Sequence, residues 1–280
     1  MIERSQFALN RIISPNMEME AFFQLSRSLG LSKVELRNDL PERGIIDSVS
    51  PQRTMEMLDK YSLQVLSINA LQRFNVDSLA NETLEQLERL IDIARSIGCR
   101  AIVLCPDNNV EAGARLDKEL YQSTLKALQR MGPIFADNGM QGYVEPLGFD
   151  SSSLRSVITA QKLIHDAKYS IYKIVIDTFH HFLGPDSLEQ LESEYDVRFT
   201  GLIHISGVSQ NLPVSQYRDE HRVLVQENDI LGSRKQVEIL HSLGYRGDIS
   251  FEPFSPALHQ ATRQELRSAL DESIAYLQSG

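Results

Sequence analysis

The chain has 280 residues, a length that fits one large α/β barrel or two ordinary domains. Hydrophobic residues make up 42% and charged residues 24%, which is typical of a globular protein and excludes collagen-like and disordered classes. Acidic residues outnumber basic ones by 38 to 28, and the formal net charge of −10 disfavours nucleic acid as a partner because the average surface field repels polyanions.

Short runs rich in β-forming residues alternate along the chain with longer segments whose apolar residues recur at helical spacing. Strands are predicted, in chain order, at residues 7–14, 33–38, 64–71, 101–106, 141–147, 172–178, 201–206 and 248–254. Strict alternation implies right-handed crossovers and parallel strands. Eight such units, with no Gly-rich dinucleotide-binding turn after the first, predict an α/β fold of the (β/α)8 TIM-barrel type, a parallel eight-stranded barrel formed by one domain over residues 1–280.

One connection is unusually long for a compact domain. Residues 207–231 separate the seventh predicted strand from its helix, whereas connections of two to six residues are common. A loop of this length on a barrel favours a role as a lid or substrate loop.

Each of the last four predicted strands ends in a residue type that binds metals. These residues are Glu145, Asp177, His204 and Glu252. Alone, such a carboxylate often caps a helix or faces water, and such a histidine often packs in a core. Four in succession at the end of a barrel where active sites are built favour one shared cause.

We interpret the four ligand-type residues at successive strand ends as the binding site of one shared cation. Inward-pointing side chains from consecutive strands can converge on one ion, and buried charges are costly without a partner that neighbouring basic residues do not obviously supply. We therefore predict one divalent metal ion held by these four side chains. A mixed carboxylate and imidazole set does not select sharply among Mn2+, Co2+, Zn2+ and Mg2+.

The same strand endings resemble a known family. Glu145-Pro146, Asp177-Thr178-Phe179-His180, His204-Ile205 and Phe251-Glu252-Pro253 look like the metal-binding pattern of the sugar-phosphate isomerase/epimerase superfamily, the xylose-isomerase-like or endonuclease-IV-like barrels. The resemblance covers essentially the whole chain. Within the superfamily the sequence is most similar to the inosose (keto-inositol) isomerases, partly through residues 219–223 of the long loop.

The resemblance implies an enzyme and assigns roles in it. Such an enzyme isomerises or epimerises a small polyhydroxy ketone, a keto-sugar or inosose, by proton transfer through a metal-stabilised enediolate. Glu145 and Glu252 would act both as metal ligands and as the catalytic acid/base pair. His180 would contact substrate, with a packing role as the alternative, and Arg222 would reach substrate from the loop, with Arg218 or a solvated loop charge as alternatives. Asn10, Glu35, Arg37 and Asn69, near the ends of early strands, are further candidates for the pocket lining.

Several alternatives remain open at this stage. Relatives usually carry a Pro-Gly-x-Gly segment after the loop arginine, and residues 223–229 replace it here, which argues against inosose as the substrate. An inosose dehydratase or a ketose 3-epimerase is the close alternative to an isomerase. A non-catalytic sugar-binding barrel is disfavoured by the two glutamates. A DNA-repair nuclease is disfavoured by the charge and because His165, His241 and His259 fall away from the predicted strand ends.

Location and assembly are only partly constrained. The N-terminus has no basic segment followed by a long apolar stretch, and no apolar run approaches the ~18 residues that span a bilayer, so we expect a cytoplasmic protein without a membrane partner. Cys99 and Cys105 lack zinc-site or redox spacing and are interpreted as buried thiols. A homo-oligomer is compatible with the sequence.

Overall fold

The computed structural model describes residues 2–111 and 117–279, and its strands form a closed parallel barrel. Each strand pairs with the next along the chain, and the last pairs with the first. The strands are β1 Phe7–Asn10, β2 Lys33–Arg37, β3 Gln64–Gln72, β4 Ala101–Cys105, β5 Gln141–Val144, β6 Tyr172–Asp177, β7 Thr200–Ile205 and β8 Ile249–Phe251. The predicted (β/α)8 barrel is confirmed.

Helices follow every strand and cover the outside of the barrel. The α-helices of the described residues are α1 Met19–Ser28, α2 Pro51–Tyr61, α3 Ala80–Ser96, α4 Asp117–Asp137, α5 Val157–Ala167, α6 Thr178–Leu183, α7 Leu188–Ser193, α8 Ser233–Ser242, α9 Pro256–Gln260 and α10 Arg263–Gln278. In α3 the apolar residues Leu87, Leu90 and Ile91 recur at helical spacing and are buried. Gly98 follows that helix with φ +71°, a conformation that glycine adopts without steric cost. None of the helices described is both long enough and apolar enough to cross a membrane.

Two of the strands that carry candidate ligands are much shorter than predicted. β5 ends at Val144 and β8 at Phe251, because Pro146 and Pro253 cannot donate a backbone hydrogen bond. The residue after each strand still bonds to its neighbour: the Glu145 amide donates to Leu104 at 3.0 Å, and the Glu252 amide to Ile205 at 3.0 Å. Both glutamates are therefore held firmly at the mouth of the barrel.

The first strand is also shorter than predicted, and for a different reason. It ends at Asn10, whose side-chain oxygen accepts a hydrogen bond from the Ile12 amide and caps a 3-10 turn over Arg11–Ile13. Asparagine offers the backbone this alternative to a strand, so the apolar residues that follow it enter a turn.

Small apolar side chains fill the inside of the barrel below the mouth. This interior cluster contains Ala70, Val103, Cys105, Val175 and Leu202. Side chains two positions apart on a strand point to the same side of the sheet. Asp177 therefore points inward like Val175, and His204 points inward like Leu202, so the strand period aims the candidate ligands at the barrel interior.

Candidate metal centre

The four residues predicted to hold a metal lie together at the mouth of the barrel. Each of Glu145, Asp177, His204 and Glu252 offers one nitrogen or oxygen atom, and all four atoms lie within 4.8 Å of one another. All four residues are buried. They come from β5 to β8 and their ends, the positions that the sequence predicts.

The ring of His204 divides this centre from the polar residues of the early strands. Its Nδ1 atom lies 2.7 Å from Oε1 of Glu145 and 3.2 Å from Oε2 of Glu252. Its Nε2 atom faces the opposite way and lies 3.1 and 3.2 Å from the two carboxylate oxygens of Glu35. Nδ1 is therefore the nitrogen that can bind an ion among the glutamates.

The two oxygens of Asp177 have different partners. Oδ1 accepts hydrogen bonds from the amides of Phe179 at 2.7 Å and His180 at 3.0 Å, which caps the start of α6. Oδ2 accepts a hydrogen bond from the guanidinium of Arg222. The cap fixes the carboxylate and leaves Oδ2 turned toward the cluster.

The two glutamates also differ in their surroundings. Glu252 accepts hydrogen bonds from Arg37 at 2.6 Å and Arg222 at 2.8 Å, so two guanidinium groups flank its carboxylate. Glu145 contacts His204 on one oxygen, and the thiol of Cys105 donates to the other at 3.5 Å. The buried thiol predicted at Cys105 thus touches the cluster. Burial and the nearby Glu145 raise its pKa well above the usual value, so it remains a neutral donor.

Electrostatic coupling inside the centre is strong. Burial opposes ionisation of Glu252, but the charges of His204 and Arg222 outweigh it and hold the pKa of Glu252 well below its usual value. Burial also disfavours a charged His204, yet the surrounding glutamates raise its pKa well above the usual value. For Asp177, burial dominates over the attraction of Arg222 and raises the pKa to about 6.

The chemistry of this donor set fits a divalent cation. Three carboxylates and one imidazole form an oxygen-rich site with a single nitrogen, which suits Mn2+, Co2+, Zn2+ or Mg2+. Counter-charge is nevertheless present, because Arg37 and Arg222 both pair with the carboxylates. The sequence alone does not make these basic partners evident. Arg37 and Arg222 are distant in sequence from the carboxylates, and only the folded barrel places them in contact.

His180 lies beside the centre, on the first turn of α6. Its ring packs edge-on against Phe149 and Phe179, with centroid separations of 5.1 and 5.4 Å. Its Nδ1 atom is buried and has no hydrogen-bond partner among the described residues. Burial and the charge of Arg222 lower the pKa of His180 to about 4, so the ring is neutral at physiological pH. The adjacent His181 is also buried and points elsewhere, toward Gln236 of α8.

The long loop delivers one arginine to the centre. Arg222 is 1% exposed and contacts Asp177 and Glu252, and its guanidinium lies 4.6 Å from the ring centroid of Phe254. Arg218, the sequence alternative, is exposed and donates to backbone carbonyls of its own loop. The structure therefore brings Arg222, and not Arg218, to the candidate ligands.

The early-strand candidates form a buried group beside the centre. Asn10, Glu35, Arg37 and Asn69 are all buried and joined by hydrogen bonds. Glu35 contacts His204, and Arg37 contacts Glu252. Polar residues at strand ends were the signal that singled them out, but only the closed barrel shows that they meet ligands from its opposite side.

A cavity of about 620 Å³ opens at the same end of the barrel. The segment after β5 and the long loop line it, including Phe149, Arg155, Tyr217, Arg218 and Asp219. Phe149 touches the ring of His180, and Asp219 accepts a hydrogen bond from Arg222. The cavity thus adjoins both side chains that the sequence proposes for substrate.

The chain is thus a TIM-barrel protein with a candidate metal site at the mouth of its closed (β/α)8 barrel. Two glutamates, one aspartate and one histidine form that site, and all four are buried. Residues 23–279 match the model of the xylose isomerase-like TIM barrel family, and the chain belongs to that family. The resemblance stated from the strand endings is thereby confirmed.

The chain is similar to one curated isomerase and to several solved structures. An inosose isomerase from Halalkalibacterium halodurans is 23% identical over 215 residues, covering 76% of this chain and 74% of that protein. A solved xylose isomerase domain containing protein from Salmonella typhimurium is 36% identical, with a TM-score of 0.92 over 100% of this chain and 99% of the other. The IolI protein, solved with a zinc atom, is 20% identical, with a TM-score of 0.86 over 98% of both chains.

Proposed function

We propose that this chain is a divalent-metal-dependent isomerase or epimerase of a small polyhydroxy ketone, a keto-sugar or an inosose, with the whole chain acting as one catalytic domain. The observation that carries the proposal is the pair of glutamates, Glu145 and Glu252, which enter one buried centre from β5 and β8 with His204 between them. A site that only binds sugar has no need of two carboxylates aimed at one point from opposite sides.

The chain's own groups supply the proton transfers of this reaction. A carbon next to a ketone and bearing a hydroxyl loses its proton to a carboxylate, and a second acid returns a proton at the adjacent carbon or on the opposite face. Glu145 and Glu252 take these two roles in our proposal. A bound divalent ion would supply Lewis-acid stabilisation of the negative charge that develops on the substrate oxygens.

The remaining side chains orient the substrate and exclude water. The free Nδ1 of His180 is a buried polar atom that a substrate hydroxyl can satisfy. Arg222 is positioned to contact a substrate oxygen on the side of Asp177 and Glu252. The inosose isomerase among the relatives supports a keto-inositol as the first substrate to test.

Solvent-hydrogen exchange tests this proposal directly. Purified protein loaded with Mn2+, Co2+, Mg2+ or Zn2+ is incubated in deuterated water with an inosose and with a set of ketoses, and products are followed by NMR. We expect deuterium at the carbon next to the carbonyl, together with an isomer or an epimer of the substrate.

The other outcomes separate the rival functions. Loss of water from the substrate would assign a dehydratase, and inversion at carbon 3 of a ketose would assign a 3-epimerase. Binding of a sugar without any label on carbon, for every substrate and metal, would contradict the enzymatic proposal and favour a sugar-binding barrel.

A further inference from the structure

Glu35 is the buried carboxylate nearest the centre that is not itself one of the four candidate ligands. It lies on β2, is 0% exposed, and faces the side of the His204 ring that is turned away from Glu145 and Glu252. We infer that Glu35 is a positioning residue for the metal centre, whose carboxylate accepts the Nε2 proton of His204 and so keeps Nδ1 as the nitrogen that binds the ion. This inference rests on the proposed metal site.

Only one of the two ring nitrogens of a neutral His204 can bind an ion at a time. A neutral imidazole carries one N–H donor and one lone pair, and the hydrogen bond at one nitrogen determines which nitrogen binds a metal. Nε2 lies 3.1 Å from Oε2 of Glu35, while Nδ1 faces the carboxylates of Glu145 and Glu252. Because an ionised carboxylate can only accept hydrogen bonds, Glu35 selects the form with the proton on Nε2.

Glu35 is itself held in place by donors from both neighbouring strands. Asn10 of β1 donates to it at 3.3 Å, Asn69 of β3 donates at 2.9 Å, and the hydroxyl of Ser67 also donates. The strand register sets Asn10 opposite Glu35 and Asn69 opposite Arg37. All of these partners are buried. Both oxygens of the Glu35 carboxylate therefore have hydrogen-bond partners within the protein, and the group is not placed to contact substrate.

This arrangement gives the early strands a role in a centre to which they contribute no ligand. Strands β1 to β3 build a rigid acceptor, and the ring of His204 links that acceptor to the ligands on β5 to β8. Outer partners of this kind orient the ring and increase the basicity of the ligating nitrogen, and their loss typically weakens metal affinity about 10–100-fold.

Cobalt binding by the metal-free full-length protein tests the inference without any activity assay. The protein is stripped with a chelator, dialysed, and titrated with Co2+ by calorimetry and visible absorption. We expect Glu35→Gln to bind Co2+ about 10–100-fold more weakly than the parent. Glutamine keeps one acceptor oxygen but loses the negative charge, and its NH2 group must replace either the oxygen that accepts from Asn69 and Ser67 or the one that accepts from Asn10. It is therefore a weaker acceptor for His204 than the carboxylate.

Matched variants separate positioning from general damage to the fold. Tyr172→Phe removes a buried hydroxyl that donates to Leu128 at the opposite end of the barrel, and we expect its Co2+ affinity to stay within about twofold of the parent. Ser67→Ala keeps the Glu35 charge and removes one of its donors, so we expect an intermediate loss. This variant also tests the inference if Glu35→Gln does not fold.

Nitrogen-15 NMR of the Zn2+-loaded protein supplies a second readout. In the parent we expect His204 to show a proton on Nε2 and a ligating Nδ1, and in Glu35→Gln a weakened or mixed signal. Parent-like cobalt affinity in both Glu35→Gln and Ser67→Ala, with an unchanged His204 spectrum, would overturn the positioning role alone. A parent protein that binds no Co2+ or Zn2+ would overturn the metal centre and this inference with it.

Discussion

Single residues at the centre differ in ways that strand position alone does not reveal. Glu145 and Glu252 occupy equivalent places, each just after a strand and just before a proline. Their surroundings are nevertheless unlike, because two arginines flank Glu252 while a neutral thiol and an imidazole contact Glu145. The four candidate ligands could be predicted from strand endings. Their hydrogen-bond partners could not, because Arg37, Arg222 and Cys105 arrive from separate parts of the chain.

Replacing either glutamate by glutamine tests the acid/base proposal. Glu145→Gln and Glu252→Gln keep an oxygen for an ion but remove the proton acceptor, and general acid/base groups typically contribute about 10²–10⁴-fold to rate. We expect both variants to retain much of their metal and to lose activity by about that factor, measured as kcat with the substrate found by exchange. Their residual behaviour should differ, because the variant that lacks only the reprotonating acid can still exchange hydrogen with solvent. Turnover near the parent rate in both variants would contradict the proton-transfer mechanism.

At the scale of secondary-structure elements, the alternation of β-rich and helical segments predicts the fold. Every predicted strand exists, and the largest boundary errors occur where Pro146, Pro253 or the capping side chain of Asn10 ends the strand early. The length of the connection over residues 207–231 predicts a lid or substrate loop, but it does not predict the internal structure of this loop. It contains 3-10 turns over Val214–Gln216 and Asp219–His221 and a small apolar cluster around Tyr217. Such an arrangement depends on contacts between distant loop residues, which have no period in the sequence.

The structure also shows which part of this loop is anchored. Gly207 and Val223 exchange two backbone hydrogen bonds of 2.8 Å, and the Arg222 carbonyl accepts hydrogen bonds from the amides of Phe254 and Ser255. Of residues 223–229, Leu224 and Val225 are buried in the core, and the Val225 carbonyl accepts a hydrogen bond from Ser273 of α10. Arg222 is thus the residue at which the anchored part of the loop meets the candidate site.

Comparing two loop arginines tests whether this element serves turnover. Arg222→Ala removes the guanidinium beside Asp177 and Glu252, and we expect a loss of kcat/KM of at least about tenfold, since the loss of a charge-assisted hydrogen bond costs about 1.5–3 kcal/mol. Arg218→Ala removes an exposed side chain of the same loop that lines the cavity but does not reach the candidate ligands, and we expect a smaller loss of kcat/KM than for Arg222→Ala. The measurement is steady-state kinetics on the exchange-positive substrate. If the two substitutions lower kcat/KM equally, or if neither lowers it, Arg222 has no specific role in turnover and the loop is only structural.

At the scale of the whole molecule, the centre concentrates charge in the middle of the fold. The ligand set spans the strands β5 to β8, and Glu35 and Arg37 extend the same hydrogen-bonded network to β2. Any ion bound there is therefore held by residues at the ends of four consecutive strands, β5 to β8. An ion that binds the folded chain and not the unfolded chain stabilises the fold by mass action, by about 2.7 kcal/mol at 100 times its Kd.

Thermal unfolding with and without metal tests this link between the centre and the fold. For a chain of this size roughly 2 °C or more of Tm accompanies each kcal/mol, so saturating Mn2+, Co2+ or Zn2+ should raise the Tm at pH 7.5 by about 5 °C or more over protein in chelator. His204→Ala and Asp177→Ala should lose most of this increase and their stoichiometric metal, while Tyr172→Phe should keep both.

The metal-dependent increase should also depend on pH in a defined direction. In the metal-free protein the pKa of His204 is raised well above its usual value, and that of Asp177 is raised to about 6 by burial. Both groups must lose their protons to bind an ion, so protons compete with metal more strongly as the pH falls. We expect the increase in Tm at a fixed metal concentration to be smaller at pH 5.5 than at pH 7.5, and calorimetry in buffers of different ionisation enthalpy to show proton release on binding. An increase that is independent of pH, or that persists in both ligand variants, would assign the stabilisation to a different site on the protein.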